Sequence, residues 1–112
     1  MVFPLEQVEA LKRITPNLSY AEEGGYPYLL IKQFALPDGC NPAVVDLLLC
    51  PRPRDGYSSR LFFPQVISGI PVRNWNGNLR ALERNWCAIS WRVPDNLTLV
   101  ETLLIHIKAL KS

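Results

Sequence analysis

Metal-binding and redox residues are scarce in this chain. It has one histidine, one methionine and three cysteines in 112 residues. No two of Cys40, Cys50 and Cys87 stand at Cys-x-x-Cys spacing, and the sole histidine, His106, falls in a helical pattern. A structural zinc site is therefore not expected. Three thiols cannot all pair within one chain. The first residues, MVFPLEQVEALKRI, lack the basic start and the long apolar stretch of a secretory signal. A reducing cytoplasm, with the cysteines as thiols, is the expected setting.

Long apolar runs are missing too. Stretches such as Ala43–Val44–Val45 and Leu47–Leu48–Leu49–Cys50 are a fraction of the roughly 20 residues a membrane helix needs. No membrane partner is expected. Gly24–Gly25 lacks the lysine and the spacing of a phosphate-binding loop. The ten carboxylates are dispersed, so no catalytic acid pair can be named, and nothing calls for a cofactor.

What is present is enough for one core. The chain is 48% hydrophobic with a net charge of +2, which excludes a disordered polymer. Size scaling gives about 6,200 Å² of folded surface against about 18,000 Å² unfolded, one domain's worth of burial over residues 1–112. The charge is uneven. Residues 1–46 carry three basic and six acidic side chains, and residues 47–94 carry seven arginines and two acids. That arginine belt is either ordinary solvated charge or a docking face for an acidic macromolecule.

Residues from Pro4 to about Ile14 read as a helix, because Leu5, Val8, Leu11 and Ile14 recur every three residues and Pro4 suits a helix start. A strand is expected to start at Ser19–Tyr20–Ala21. Tyr26 to Phe34 is a second strand, with Tyr28, Leu30, Lys32 and Phe34 on one side and Leu29, Ile31 and Gln33 on the other. Val44 to Cys50 is a third, with Val45, Leu47 and Leu49 facing the core. Short turns between them predict an antiparallel meander. Pro51 to Tyr57 is a loop, and Leu61 to Val66 reads as a fourth, edge-type strand. Ser68 to Asn78 reads as irregular, and Asn78 to Trp86 as room for a helical turn. Thr98 and Glu101 have capping-box spacing. Val100, Leu103, Leu104, Ile107 and Leu110 then trace one helical face. The predicted class is α+β: an N-terminal helix, a meander of three to four strands, an irregular segment and a C-terminal helix.

Cys87 is the candidate nucleophile. It lies in Asn85–Trp86–Cys87–Ala88–Ile89–Ser90–Trp91, flanked by Arg84 and Arg92, with Arg80 near in sequence. Positive charge favours the reactive thiolate. The plainer alternative is a small buried hydrophobe between two tryptophans. Cys50, at a strand end, reads as structural, and Cys40, in Gly39–Cys40–Asn41–Pro42, as an incidental turn cysteine. Trp75, Trp86 and Trp91 interleave with Arg73, Arg80, Arg84 and Arg92. Such residues either stack single-stranded nucleic acid or close a core under arginine stems, and the second is expected. A Ser/His/Asp arrangement is not expected, since His106 borders the apolar stripe of the last helix.

Four stretches, in order, resemble ubiquitin-conjugating enzymes in a compact bacterial form, the prokaryotic family E of that superfamily. Ala35–Leu36–Pro37–Asp38–Gly39 with Val44–Leu49 is similar to the family's Leu-Pro-x-Gly turn and next strand. Pro51–Tyr57 with Leu61–Val66 is similar to the proline-and-tyrosine loop and following strand. Asn85–Trp91 falls where such enzymes place the active-site segment. Trp91–Arg92–Val93–Pro94–Asp95–Asn96–Leu97 and the helix to Leu110 are similar to the tryptophan-proline segment and the helix behind the site. The resemblance runs from about residue 5 to residue 110.

The resemblance implies acyl transfer. A ubiquitin-like protein would pass from an activating enzyme to a thioester on Cys87 and then to an amine. An asparagine, Asn78 or Asn85 among the candidates, would stabilise the oxyanion. Ser90 is the alternative nucleophile, giving an ester. Arg73, Arg80, Arg84 and Arg92 would hold the protein partners. The His-Pro-Asn motif usual before the active cysteine is absent, with Ile70–Pro71–Val72 near its place. That departure motivates the alternative of a non-catalytic scaffold binding a ubiquitin-like protein or an activating enzyme. Neither reading involves nucleic acid.

Overall fold

Leu5 and Ile14 cannot share a helix face with each other. They are nine residues apart, about two and a half turns, so they point to opposite sides. A computed structural model, which describes residues 3–111, has a helix α1 over Leu5–Ile14 that buries Val8 and Leu11 only. Leu5 and Ile14 are 67% and 48% exposed. Pro4 is the N-cap residue, just outside the helix.

Six strands follow: β1 (Leu18–Glu23), β2 (Tyr26–Ala35), β3 (Val44–Cys50), β4 (Arg60–Phe63), β5 (Trp75–Ala81) and β6 (Arg84–Ile89). A second helix, α2 (Leu99–Ile107), runs into a short 3-10 turn, Lys108–Leu110. The sheet is antiparallel throughout, in the order β1-β2-β3-β4-β6-β5. The accessible surface is 6250 Å². Among the described residues, no helix is long and apolar enough to cross a membrane.

The α+β class and the first three strands agree with the sequence reading. Three expectations are corrected. Among the described residues the strand count is six: residues 68–74 are irregular as expected, but from Trp75 on the segment read as irregular and then as a helical turn is the hairpin β5–β6. The segment around Cys87 is therefore regular strand. The fourth strand stops at Phe63 and lies inside the sheet, between β3 and β6, with all four residues buried. A strand paired on both sides cannot be an edge, and Pro64, which has no N–H to donate, ends it.

The sheet has two apolar faces. Leu29, Ile31, Val45, Leu47, Leu49, Leu61, Phe63 and Ile89 pack under Val8, Leu11, Leu103 and Ile107 of the helices. The opposite face carries Tyr28, Leu48, Cys50, Phe62, Trp86 and Ala88. Among the described residues, no helix covers that second face. Arginine stems and the loop before β4 roof it instead. The Arg54 guanidinium lies 4.0 Å from the Tyr26 ring centre and also donates to the Tyr28 hydroxyl. Arg60 reaches Phe62, and Arg84 lies 4.6 Å from the Trp86 ring. Guanidinium planes stack well on aromatic faces.

Phe34 changes face. Strict alternation would place it with Tyr28 and Leu30. A bulge between Ile31 and Phe34, where Gln33 has φ 53°, adds a residue and turns Phe34 to the helix side. The Gln33 N–H donates to Asp46 Oδ1 at 2.9 Å, which satisfies the amide the bulge unpairs.

In α2 the capping box is present: Thr98 Oγ1 accepts from the Glu101 N–H, and Glu101 accepts from the Thr98 N–H. Leu103 and Ile107 are buried, but Leu104 is 48% exposed. The apolar pattern is broader than the buried face, so Leu104 lies on its outer margin.

Candidate functional site

β5 and β6 position the candidate nucleophile. Gly77, at φ 80°, bulges β5 so that Asn76 faces Ala88 and Asn78 faces Cys87. Directly opposed residues of an antiparallel pair share a face, with Cβ atoms about 5 Å apart. Cys87 thus has Asn78 on one side and Phe63 of β4 on the other. Asn85, two residues earlier, lies on the same face, exposed, and accepts from Arg80 Nη1 at 3.4 Å. The structure brings together Cys87, Asn78, Asn85 and Arg80.

Cys87 is half-buried and packs on the margin of the helix-side core. Burial pushes its thiol up from the ordinary value. Cys40 and Cys50 are also free thiols raised by burial. The sequence reading expected Arg84 and Arg92 to favour a thiolate at Cys87. Alternation sends Arg84 to the other face, where its Nη2 pairs with Asp46 Oδ2 at 2.8 Å. Burial alone would push the Asp46 carboxyl up, but the Gln33 amide and Arg84 bring it below the usual range. Arg92 stacks 5.3 Å from the Tyr57 ring centre and donates to the Gly56 carbonyl at 3.3 Å.

Ser90 is separated from Cys87. It lies beyond the end of β6, hydrogen-bonded to Tyr57 and accepting from Asn74 Nδ2 at 3.4 Å. Hydrogen bonds with Ser90 and Asn76 pull the Tyr57 phenol below its usual pKa, and Arg60 and Arg92 add to the effect. The two nucleophile candidates therefore belong to different clusters.

The remaining members of the arginine belt are largely structural. Arg73 donates from Nε to the Ala109 carbonyl at 2.7 Å and from Nη2 to the Lys111 carbonyl at 3.0 Å. It thereby satisfies carbonyls the helix end leaves open. It also stacks on Trp91, whose indole N–H donates to the Ile105 carbonyl. Trp86 donates to the Ala81 carbonyl, and Trp75 meets Phe63 edge-on at 5.4 Å. The tryptophans act as core and joint residues.

Two buried polar groups carry no sequence signal. Arg60 is buried, donating to Asn76 Oδ1 at 2.9 Å and lying 4.3 Å from the Tyr57 ring. Gly77 allows this approach, since a Cβ there would stand 3.2 Å from Arg60 Nη2. Ser59 Oγ lies 2.9 Å from His106 Nε2, with both residues buried. The partners are 47 residues apart in sequence, so no local motif reports them. Burial, with the Arg60 cation second, pushes the histidine down to about 4, so the imidazole is neutral at physiological pH and a weak base.

Compared with protein-family models, curated proteins and solved structures, the sequence and fold match none. Among the described residues, no group of three metal-ligating side chains is gathered.

Proposed function

We propose that this chain is a non-catalytic, ubiquitin-conjugating-like domain that binds a ubiquitin-like protein or its activating enzyme by its surface. The observation that carries the reading is Cys87 itself. Its thiol packs against the helix-side core, burial holds it protonated, and its flanking arginines are engaged elsewhere. Part of the element order supports the conjugating-enzyme resemblance: a first helix, a four-strand meander with the Pro51–Tyr57 loop between β3 and β4, and a helix after the Cys87 strand, while the β5–β6 hairpin departs from it. The resemblance carries the choice of partner.

A second reading is favoured by the pairing of Asn78 with Cys87. An amide beside the thiol is placed to donate to an oxyanion. In that reading the modifier's acyl group passes from the activating enzyme to Cys87 Sγ. An amine nitrogen then takes it, forming the amide and releasing the thiol.

One experiment separates them. The chain and its Cys87→Ala and Ser90→Ala variants are incubated with the cognate activating enzyme, the ubiquitin-like protein and ATP. The proposal expects no covalent adduct, non-covalent binding by calorimetry, and Cys87 labelling that becomes fast only on denaturation. An adduct cleaved by thiol reductant and absent in Cys87→Ala overturns it in favour of acyl transfer. A reductant-resistant adduct absent in Ser90→Ala overturns it in favour of an ester on Ser90. Absence of both adduct and binding removes the conjugation pathway altogether.

A further inference from the structure

The helix side carries an apolar groove that the fold does not fill. It lies between the end of α1, the bulged part of β2 and α2. Ile14, Phe34, Val100 and Leu104 supply its apolar walls, and its volume is about 490 Å³. Phe34 and Ala35 also line a neighbouring depression of about 840 Å³, which ends at Ile107 and Leu110. Ile14 and Leu104, which both line the groove, are each 48% exposed.

The sequence explains why the groove exists. The β2 bulge turns Phe34 to this side, and Leu104 falls on the outer margin of the α2 stripe. Neither side chain is needed to close the core, because Leu11 and Leu103 already do so at 0% exposure.

The rim is cationic. Lys32 lines the groove and Lys111 the neighbouring depression. Lys108 follows Leu104 by four residues and so shares its side of the helical turn. All three are exposed, and among the described residues none stands within ion-pair distance of a carboxylate. Of the acids nearby, Asp46 interacts electrostatically with Lys32, Glu101 caps the start of α2 through the Thr98 N–H, and Asp38 lines the neighbouring depression.

We propose that this groove docks a short segment of another protein, apolar at its centre and acidic at its flanks. Apolar side chains would cover Ile14 and Leu104, and flanking Asp or Glu would face the lysine rim. The site differs from the one the sequence suggested. Arg54, Arg60, Arg73, Arg84 and Arg92 of the arginine belt are engaged within the fold, whereas Lys32, Lys108 and Lys111 stand exposed around this groove. The inference goes beyond the binding role above, because it holds whether or not the partner is ubiquitin-like.

The test pans a random 12-mer peptide library, displayed on phage, on the intact chain. Leu104→Asp and Lys108→Glu serve as comparison surfaces. Both positions are exposed, and circular dichroism checks that both variants fold. The proposal expects enriched peptides with two or more large apolar residues flanked by Asp or Glu. A synthetic peptide of the winning sequence should lose at least about tenfold in affinity on Leu104→Asp. It should lose severalfold on Lys108→Glu and severalfold when salt is raised, as screened ion pairs do. No enrichment, enrichment of basic peptides, or equal binding to Leu104→Asp overturns the proposal. Concentration-dependent dimerisation that Leu104→Asp abolishes, seen by sedimentation, also overturns it and makes a second copy the occupant.

Discussion

Ser59 Oγ and His106 Nε2 stand 2.9 Å apart, the serine just before β4 and the histidine on the buried side of α2. This bond fixes the second helix to the centre of the sheet. It also holds an imidazole where protonation is costly, in a buried site beside the Arg60 cation.

That cost makes stability depend on pH. The histidine titrates near its ordinary value of 6.5 when unfolded and near about 4 when folded. Between those values the unfolded chain binds more protons, so stability is full above about pH 6.5 and falls as the pH drops towards 4. Burial is nearly complete, so the whole shift counts, and about 2 kcal/mol should be lost between pH 8 and pH 5. Asp46 and Glu101, both held below the usual carboxylate range, act in more acidic solution. Urea denaturation of the wild type and of His106→Gln at both pH values checks this. The variant is expected to be less stable at pH 8 and to show a much flatter dependence. An equally steep fall in the variant would assign the effect to other groups.

Leu103 and Leu104 are neighbours with opposite fates. Leu103 is fully buried and Leu104 is 48% exposed. Leu103→Ala should cost about 2–5 kcal/mol through lost burial and the cavity left behind. Leu104→Ala should stay within about 1 kcal/mol. Denaturant midpoints of the two variants decide the matter, and equal losses would mean that α2 is rotated from its described position.

The elements legible in the sequence are those whose signals are local. The Thr98–Glu101 box and its apolar stripe marked α2, and dense β-branched and leucine runs marked β2 and β3. The β5–β6 hairpin was illegible for a specific reason. Its turn places Leu82 and Glu83 at φ 52° and 65°, a conformation normally announced by Asn-Gly, so the usual signal is missing. The Gly77 bulge then breaks the alternation that would have marked β5. The site suffered most from this. That Asn78 faces Cys87 follows from that bulge, and that Arg84 turns away from Cys87 follows from strand alternation. Without a strand there was no face to assign.

The same turn should be improvable. Glu83 is exposed and holds a left-handed backbone conformation that costs a residue with a Cβ about 1–2 kcal/mol. Glycine adopts it freely but loses more chain entropy on folding. Glu83→Gly should therefore raise stability by about 0.5–1 kcal/mol, read as a higher urea midpoint with unchanged slope. A lower midpoint would show that the Glu83 backbone is not left-handed in solution.

Gly69 should tolerate no such change in the other direction. It follows Ser68, whose N–H donates to the Asn41 carbonyl at 2.9 Å while the Asn41 N–H donates to the Ser68 carbonyl at 3.0 Å. That two-bond bridge draws the loop after β2 against the loop after β4. At Gly69 the backbone has φ 78°, and a Cβ would stand 2.0 Å from the Gly39 carbonyl oxygen. The obstacle is backbone, so it cannot rotate aside, and the bridge must open to admit a methyl group. Gly69→Ala should cost more than about 3 kcal/mol, the range of changes that break a packed network. Gly24→Ala is the control. Its φ is 61°, but no atom lies within 4 Å of the added Cβ, so the left-handed conformation alone sets a loss of about 1 kcal/mol. Thermal melts of both variants should show the larger drop for Gly69→Ala, and the reverse order would mean that the two loops are not in contact.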